Sequence, residues 1–377
     1  MATLPYLTQC HFDHGALQQL GALLRRLGMK RPFFVTDPAL RAMGLADLAL
    51  AQIPGGPAAI YDQTPANPTE AAAQLAAQSY REHECDGLIA FGGGSAMDLA
   101  KGVGLFVTHA PPFARLGASQ RGTRHIGPIP PLIAIPTTSG TGSEVSVGAV
   151  LILEDGRKET FISNHLIPTI ALCDPDLTLG LPALLTAATG MDAVTHCLEA
   201  FLAPAINPPA DAIGLDGLQR AIGQNWLRAA VQDGQNKEAR WNMMMASYEG
   251  ALAFVKGLGG AHSLSHASGR LKELRLHHGT LNAIYLPHIL AFNYDAKNEK
   301  YDRAAQVMGV KRGADLPQKI ADLNAQLGLP ANLRAIGMRA EHQEDVVAFA
   351  QTDLAHYTNP RPISADDYTR LFSAALG

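Results

Sequence analysis

The stretch Gly259-Gly260-Ala261-His262-Ser263-Leu264-Ser265-His266, followed by His277-His278-Gly279, holds four of the chain's fourteen histidines. Positions four apart share one helix face, so His262 and His266 point the same way. Earlier, Gly190-Met191-Asp192-Ala193-Val194-Thr195-His196 sets a carboxylate and an imidazole at the same spacing. Two helices that each present a pair of oxygen or nitrogen donors from a rigid support suit a divalent cation. One such pair alone reads more readily as a satisfied polar pair on a helix face. Two pairs and a His-Gly in Gly-rich apolar sequence favour a metal.

A second chemistry is suggested upstream. Gly87-Leu88-Ile89-Ala90-Phe91 reads as a buried strand that runs into Gly92-Gly93-Gly94-Ser95 and then a helix over residues 96–107, which carries Asp98 and Lys101. Glycines let a diphosphate approach the backbone, and the amides and dipole of the following helix hold its charge. The alternative is a plain tight turn. Leu132-Ile133-Ala134-Ile135-Pro136 ends likewise in Thr137-Thr138-Ser139-Gly140-Thr141-Gly142-Ser143-Glu144, whose hydroxyls and glycines suit ribose and phosphate oxygens. The alternative there is a Ser/Thr-rich turn; together the two segments favour a nucleotide. Asp37 ends the apolar run Arg31-Pro32-Phe33-Phe34-Val35-Thr36. A carboxylate there accepts from the adenosine ribose and repels a 2′-phosphate, which favours NAD over NADP. Asp37 precedes the glycines and no G-x-G-x-x-G occurs, so the segment is not a standard Rossmann fingerprint.

These motifs need elements to carry them. Strands at residues 31–37, 58–62, 87–91 and 132–136 alternate with helices at residues 15–27, 70–82 and 96–107, which implies a parallel sheet covered by helices. Past Cys173-Asp174-Pro175-Asp176-Leu177 the strand signals stop, and Leu181-Pro182 opens Ala/Leu-rich helical sequence. The expected fold is an α/β dinucleotide-binding domain over residues 1–180 and an all-α metal-binding domain over residues 181–377.

At 377 residues, 47% hydrophobic and 17% charged, the chain can bury a sizeable core. A net charge of −4 without a dense basic cluster argues against nucleic acid or a membrane surface as partner. Cys10, Cys85, Cys173 and Cys197 are scattered and form no C-x-x-C, which suggests reduced thiols in a cytoplasmic protein. Met1-Ala2-Thr3-Leu4-Pro5-Tyr6 lacks the basic and apolar regions of a secretory leader.

Taken in order, the Gly92–Asp98, Pro136–Glu144 and Gly190–His196 motifs and the His262/His266/His278 cluster resemble the iron-containing (group III) alcohol dehydrogenases nearly end to end. The resemblance implies NAD and one divalent metal, usually Fe²⁺, with Asp192, His196, His262 and His278 as ligands. It makes His266 a proton-relay group, and Asp37, Asn67, Gly94, Ser95, Thr137, Thr138, Thr141 and Lys158 the NAD contacts. Gly93 and Asp98 fall in the same phosphate-binding unit. The family tends to form homodimers or larger oligomers. The donor set alone also admits Zn²⁺, Ni²⁺ or Mn²⁺. The sequence departs from the family's usual Pro-Leu-Gly-aromatic run after His266, which leaves His277 an alternative to His278; the following Gly279 favours His278.

His-Ser-Leu-Ser-His, Gly-Arg-Leu-Lys, Leu-His-His-Gly-Thr-Leu-Asn and Asn207-Pro208-Pro209-Ala210-Asp211 are most similar to the 4-hydroxybutyrate dehydrogenase branch. Arg270, Lys272 or Arg275 could then grip a carboxylate at the far end of a short substrate, against the alternative of an exposed charged loop. The expected reaction interconverts 4-hydroxybutyrate and succinic semialdehyde. Alternatives are a short-diol dehydrogenase or lactaldehyde reductase of the same family, a lyase like 3-dehydroquinate synthase, and a nucleotide-binding scaffold without catalysis.

Overall fold

The computed structural model describes residues 8–377, apart from the side chain of Lys272. Residues 1–6, read above for a leader, lie outside the described residues. The chain divides into two compact units. One holds residues 8–138 and Gly142–Thr178, the other Ser139–Thr141 and Leu179–Gly377.

The first unit is built on six strands: β1 (Gln9–Phe12), β2 (Pro32–Val35), β3 (Ala59–Tyr61), β4 (Gly87–Gly92), β5 (Leu132–Pro136) and β8 (Ile170–Cys173). They form one parallel sheet in the order β1-β8-β5-β4-β2-β3. Its helices are α1 (Leu20–Leu27), α2 (Pro38–Ala42), α3 (Leu45–Leu50), α4 (Glu70–Glu82) and α5 (Gly94–Thr108). The four inner strands are buried at every residue, as a sheet with cover on both faces demands. Successive residues face opposite ways, so Phe33 and Val35 join one core and Phe34 the other.

The sequence reading did not include β8, α2 or α3, and two further features depart from it. Strand β1 was not expected, because Gln9-Cys10-His11-Phe12 is no apolar run; it is an edge strand, partly exposed throughout. The second is an antiparallel hairpin of β6 (Gly148–Ile152) and β7 (Lys158–Ile162). Its turn signal, Asp155-Gly156, was present in the chain, while the alternation of buried and half-buried residues along both strands emerges only on folding. Gly156 takes the left-handed φ of +84° that this turn requires.

The second unit is helical among the described residues. It comprises α6 (Ala183–Leu202), α7 (Pro208–Leu218), α8 (Trp226–Gln232), α9 (Lys237–Ala253) and α10 (Gly260–Ser268). It continues through α11 (His278–Asn293), α12 (Asn298–Val307), α13 (Leu316–Gln326), α14 (Gln343–Ala350) and α15 (Ala365–Leu376). Helix α6 is buried at every residue from Thr186 to Leu202, so it is the axis that others pack on. Helix α11 reaches it because residue 279 is glycine: a Cβ there would stand 2.2 Å from the Ala188 carbonyl oxygen. Pro287 lies inside α11 and leaves the Ala283 carbonyl without its helical donor. The Asn324 side chain supplies one instead, at 2.6 Å. No helix among the described residues is long and apolar enough to cross a membrane.

Candidate metal centre and dinucleotide cradle

Helix α6 carries Asp192, His196 and Glu199 at i, i+4 and i+7, all buried on one face. Asp192 Oδ1 lies 3.8 Å from His196 Nε2, 3.7 Å from His262 Nε2 and 3.5 Å from His278 Nε2. The structure therefore brings together the four side chains singled out as ligands, from α6, α10 and α11. His277 instead is the exposed N-cap residue of α11.

Each imidazole is held from behind. His262 Nδ1 lies 2.7 Å from Glu199 Oε2, and His196 Nδ1 lies 3.2 Å from the Gly140 carbonyl oxygen. Ser265 Oγ donates to the His278 carbonyl, which leaves it to accept from His278 Nδ1 at 2.8 Å. With all three Nδ1–H groups so engaged, the Nε2 lone pairs turn inward. Glu199 also fixes the start of α10, accepting from the amides of Gly259 (2.9 Å) and Ala261 (2.7 Å). A carboxylate at a helix N-terminus meets both unpaired N–H groups and the positive end of the dipole.

This donor set fits a divalent cation. At a metal–ligand distance of about 2.1 Å, tetrahedral donors stand roughly 3.4 Å apart, close to the separations of Asp192 Oδ1 from the three imidazoles; His278 lies outside the tighter group of three. Asp192, His196 and His262 offer donor atoms within 4.8 Å of one another. Burial pushes His196 down to about 4, against the pull of Asp192, so it is a neutral donor at pH 7. For His262 burial also disfavours the charge, but the Glu199 hydrogen bond outweighs it and raises the group.

His266 stands at the edge of the cluster, 29% exposed, its ring stacked on His278 at 5.1 Å. Its Nδ1 meets Asp353 Oδ2 at 2.9 Å, and Asp353 also accepts from the Ala355 amide. Burial disfavours the Asp353 carboxylate charge, but the charge of His266 and the bonds it accepts prevail and hold it below its usual range. The Arg270 guanidinium lies 3.6 Å over the Phe349 ring. Arg275 is exposed with a left-handed φ of +48°.

In the first unit, β2 and β4 are neighbours, with Phe34 opposite Ile89 and Val35 opposite Ala90. From β2 the chain goes outward to β3 and then returns to β4. That reversal is the switch point at which open α/β sheets bind ligands beyond the carboxyl ends of the strands. Asp37 follows β2 there, and Gly93, Gly94 and Ser95 open α5 after β4. This topology explains why the carboxylate precedes the glycines in the chain. Asp37 Oδ1 caps α2 through the Leu40 amide (2.9 Å), while Ser95 Oγ donates to the Ala66 carbonyl beside exposed Asn67. The Thr137 amide donates to the Gly92 carbonyl at 3.0 Å, and Thr138 lies beside Gly93. Lys158 begins β7. Asp98 accepts from Ser143 Oγ (2.8 Å) and the Val150 amide (3.1 Å), so its carboxylate is committed to the hairpin. Thr141 groups with the second unit.

Sequence reasoning missed Glu199, Ser265, Asp353 and Asn282. Glu199 could have been found, since it continues the Asp192/His196 face by one turn. Asp353 lies 87 residues from His266 and left no local signal.

Comparison with known proteins gives a consistent picture. Residues 8–175 match the model of the iron-containing alcohol dehydrogenase family, and residues 186–376 match that family's C-terminal model. The chain is 50% identical to 4-hydroxybutyrate dehydrogenase of Cupriavidus necator, with all of both chains covered. The crystal structure of 1,3-propanediol oxidoreductase superposes with a TM-score of 0.93 at 32% identity, covering all of both chains. Sulfoacetaldehyde reductase of Bifidobacterium kashiwanohense, solved in complex with NAD⁺, gives a TM-score of 0.89 at 25% identity, covering 100% of this chain and 98% of that one.

Proposed function

Because the chain belongs to the iron-containing alcohol dehydrogenase family, we propose that it interconverts 4-hydroxybutyrate and succinic semialdehyde, with NAD as hydride carrier and Fe²⁺ held by Asp192, His196, His262 and His278. The observation that carries the metal part is the meeting of three Nε2 atoms at one carboxylate oxygen. When bound, a divalent cation acidifies an alcohol hydroxyl and polarises an aldehyde carbonyl, and nicotinamide takes up or returns the hydride.

The chain's own residues handle the proton. Asp353 accepts the Nδ1–H of His266 and leaves Nε2 free as base. In alcohol oxidation the hydroxyl proton passes to His266 Nε2, and Asp353 steadies the resulting imidazolium. From there, at an edge that is partly exposed, the proton leaves to water; aldehyde reduction runs the same transfers backward. The ligand histidines, held at Nδ1, keep their orientation while substrate exchanges.

Substrate choice rests on similarity to the Cupriavidus enzyme and on Arg270. Its guanidinium lies over Phe349, and a planar fork of this kind matches a carboxylate. Residues Asp37, Asn67, Gly93–Ser95, Thr137, Thr138, Thr141 and Lys158 are the proposed NAD contacts, and Asp98 supports them from behind. We take the working form to be a cytoplasmic homodimer or larger oligomer, which light scattering and cell fractionation test.

The decisive experiment is an NAD(H)-linked panel on protein reconstituted anaerobically with Fe²⁺. Succinic semialdehyde should exceed lactaldehyde and 3-hydroxypropanal in kcat/KM by at least tenfold. Equal turnover would move the assignment to the short-diol branch, which the likeness to 1,3-propanediol oxidoreductase also supports.

A further inference from the structure

Asn282 is fully buried, one helical turn beyond His278 on α11. Its side-chain nitrogen lies 2.8 Å from Asp192 Oδ1, 3.2 Å from His262 Nε2 and 3.1 Å from His278 Nε2. Its oxygen is buried without a hydrogen-bond partner. We infer that Asn282 is a positioning residue for the metal centre, one that fixes the ligating oxygen of Asp192 and supplies N–H to the histidine lone pairs until a cation takes them.

The orientation of the amide follows from its neighbours. Exchanging its nitrogen and oxygen would set a lone pair against a carboxylate oxygen and two inward nitrogen lone pairs. An amide nitrogen has two N–H groups, and three acceptors surround this one. Before metal arrives, these contacts offer a donor to the buried acceptors Asp192 Oδ1 and His262 Nε2. A cation claims the Nε2 lone pairs of His262 and His278. Asn282 would then be left with its N–H bond to Asp192 Oδ1, which restrains the carboxylate. Asn282 thus completes on α11 the i, i+4 pairing with His278 that α6 shows with Asp192 and His196.

This inference rests on reading the cluster as a metal site, and the test separates the two. Affinity of the metal-free full-length protein for Zn²⁺ is measured by competition with a chromophoric chelator, and Co²⁺ absorption reports the ligand geometry. Asn282→Leu keeps the bulk, removes the donor and excludes water. It should weaken Zn²⁺ binding by roughly 10- to 100-fold, the range for loss of a group that orients a ligand. The rise in Tm on adding Zn²⁺ should shrink accordingly. Asn282→Ala, which leaves room for a water, should fall between; it carries the test if the Leu variant does not fold. Affinity within twofold of wild type and an unchanged Co²⁺ spectrum would overturn the inference. So would a fall in Tm that is equal with and without Zn²⁺, because a purely structural role predicts it. Failure of the wild type itself to bind Zn²⁺ or Co²⁺ would instead sink the metal assignment.

Discussion

Glu199→Gln isolates what holds the centre from behind. The carboxylate meets four donors: Glu199 Oε2 faces the Gly259 amide, His262 Nδ1 and, at 3.4 Å, the His262 amide, while Oε1 faces the Ala261 amide. Glutamine offers one oxygen. Placed at the Oε2 position it keeps His262 in the tautomer whose Nε2 lone pair points at Asp192. Its NH₂ group then confronts the Ala261 amide, and one buried N–H is orphaned, for about 1–3 kcal/mol. Turned the other way, the NH₂ group meets His262 Nδ1, drives the proton to Nε2 and removes a ligand. Either arrangement harms the site, and the first harms it less. The expected result is a fall in Tm of several degrees in the metal-free protein and a Zn²⁺ affinity lower by roughly 10- to 100-fold. Scanning calorimetry and chelator competition read the two effects separately. A variant with lowered Tm but wild-type affinity would show that Glu199 only caps α10, and the tautomer argument would be wrong.

His266→Ala should lower kcat by roughly 10²- to 10⁴-fold with metal content intact; loss of metal, measured by plasma emission, would make His266 a ligand instead. Arg270→Leu should raise KM for 4-hydroxybutyrate at least tenfold, since a hydrogen bond to a charged group is worth about 1.5–3 kcal/mol, while 1-butanol is unaffected; parallel changes would remove the carboxylate role. Glu249 is pushed up from 4.5 to about 8, by burial first and then by Asp216. A carboxyl raised on folding contributes stability that is fully present below pH 4.5 and is lost as pH rises through 8. Glu249→Gln should therefore flatten the fall in Tm between pH 5 and 9 and gain most at pH 9, with a ceiling of about 5 kcal/mol. A gain at pH 4 equal to that at pH 9 would refute the assignment.

Local pattern determined a good deal of this molecule. The apolar runs of β2, β4 and β5 each lie in one stretch of chain, as does the i, i+4 pairing of Asp192 with His196. Helical periodicity acts over a few residues, so it is written where it acts. The hairpin β6–β7 was marked in the chain only by its turn, Asp155-Gly156; Gly148–Ile152 is continuously apolar and Lys158–Thr160 continuously polar, so the alternation of burial along it is a product of packing. Strand β1 was not legible: Gln9–Phe12 becomes a strand by pairing with Ile170–Cys173, which no local composition announces.

The site divides in the same way. The sequence by itself determined the types of the donors and their spacing on each helix, and the glycine after His278 marked which of two adjacent histidines lies beside Asp192. Only tertiary structure decided that α6, α10 and α11 meet, because their approach depends on what packs between them, including the absence of a Cβ at Gly279. It likewise decided that Glu199, Ser265 and Gly140 turn three imidazoles to one tautomer, that Asn282 meets Asp192 among the donors, and that Asp353 stands behind His266. A hydrogen bond between side chains 60 or more residues apart is a property of distance in space, and a linear pattern carries no measure of that distance.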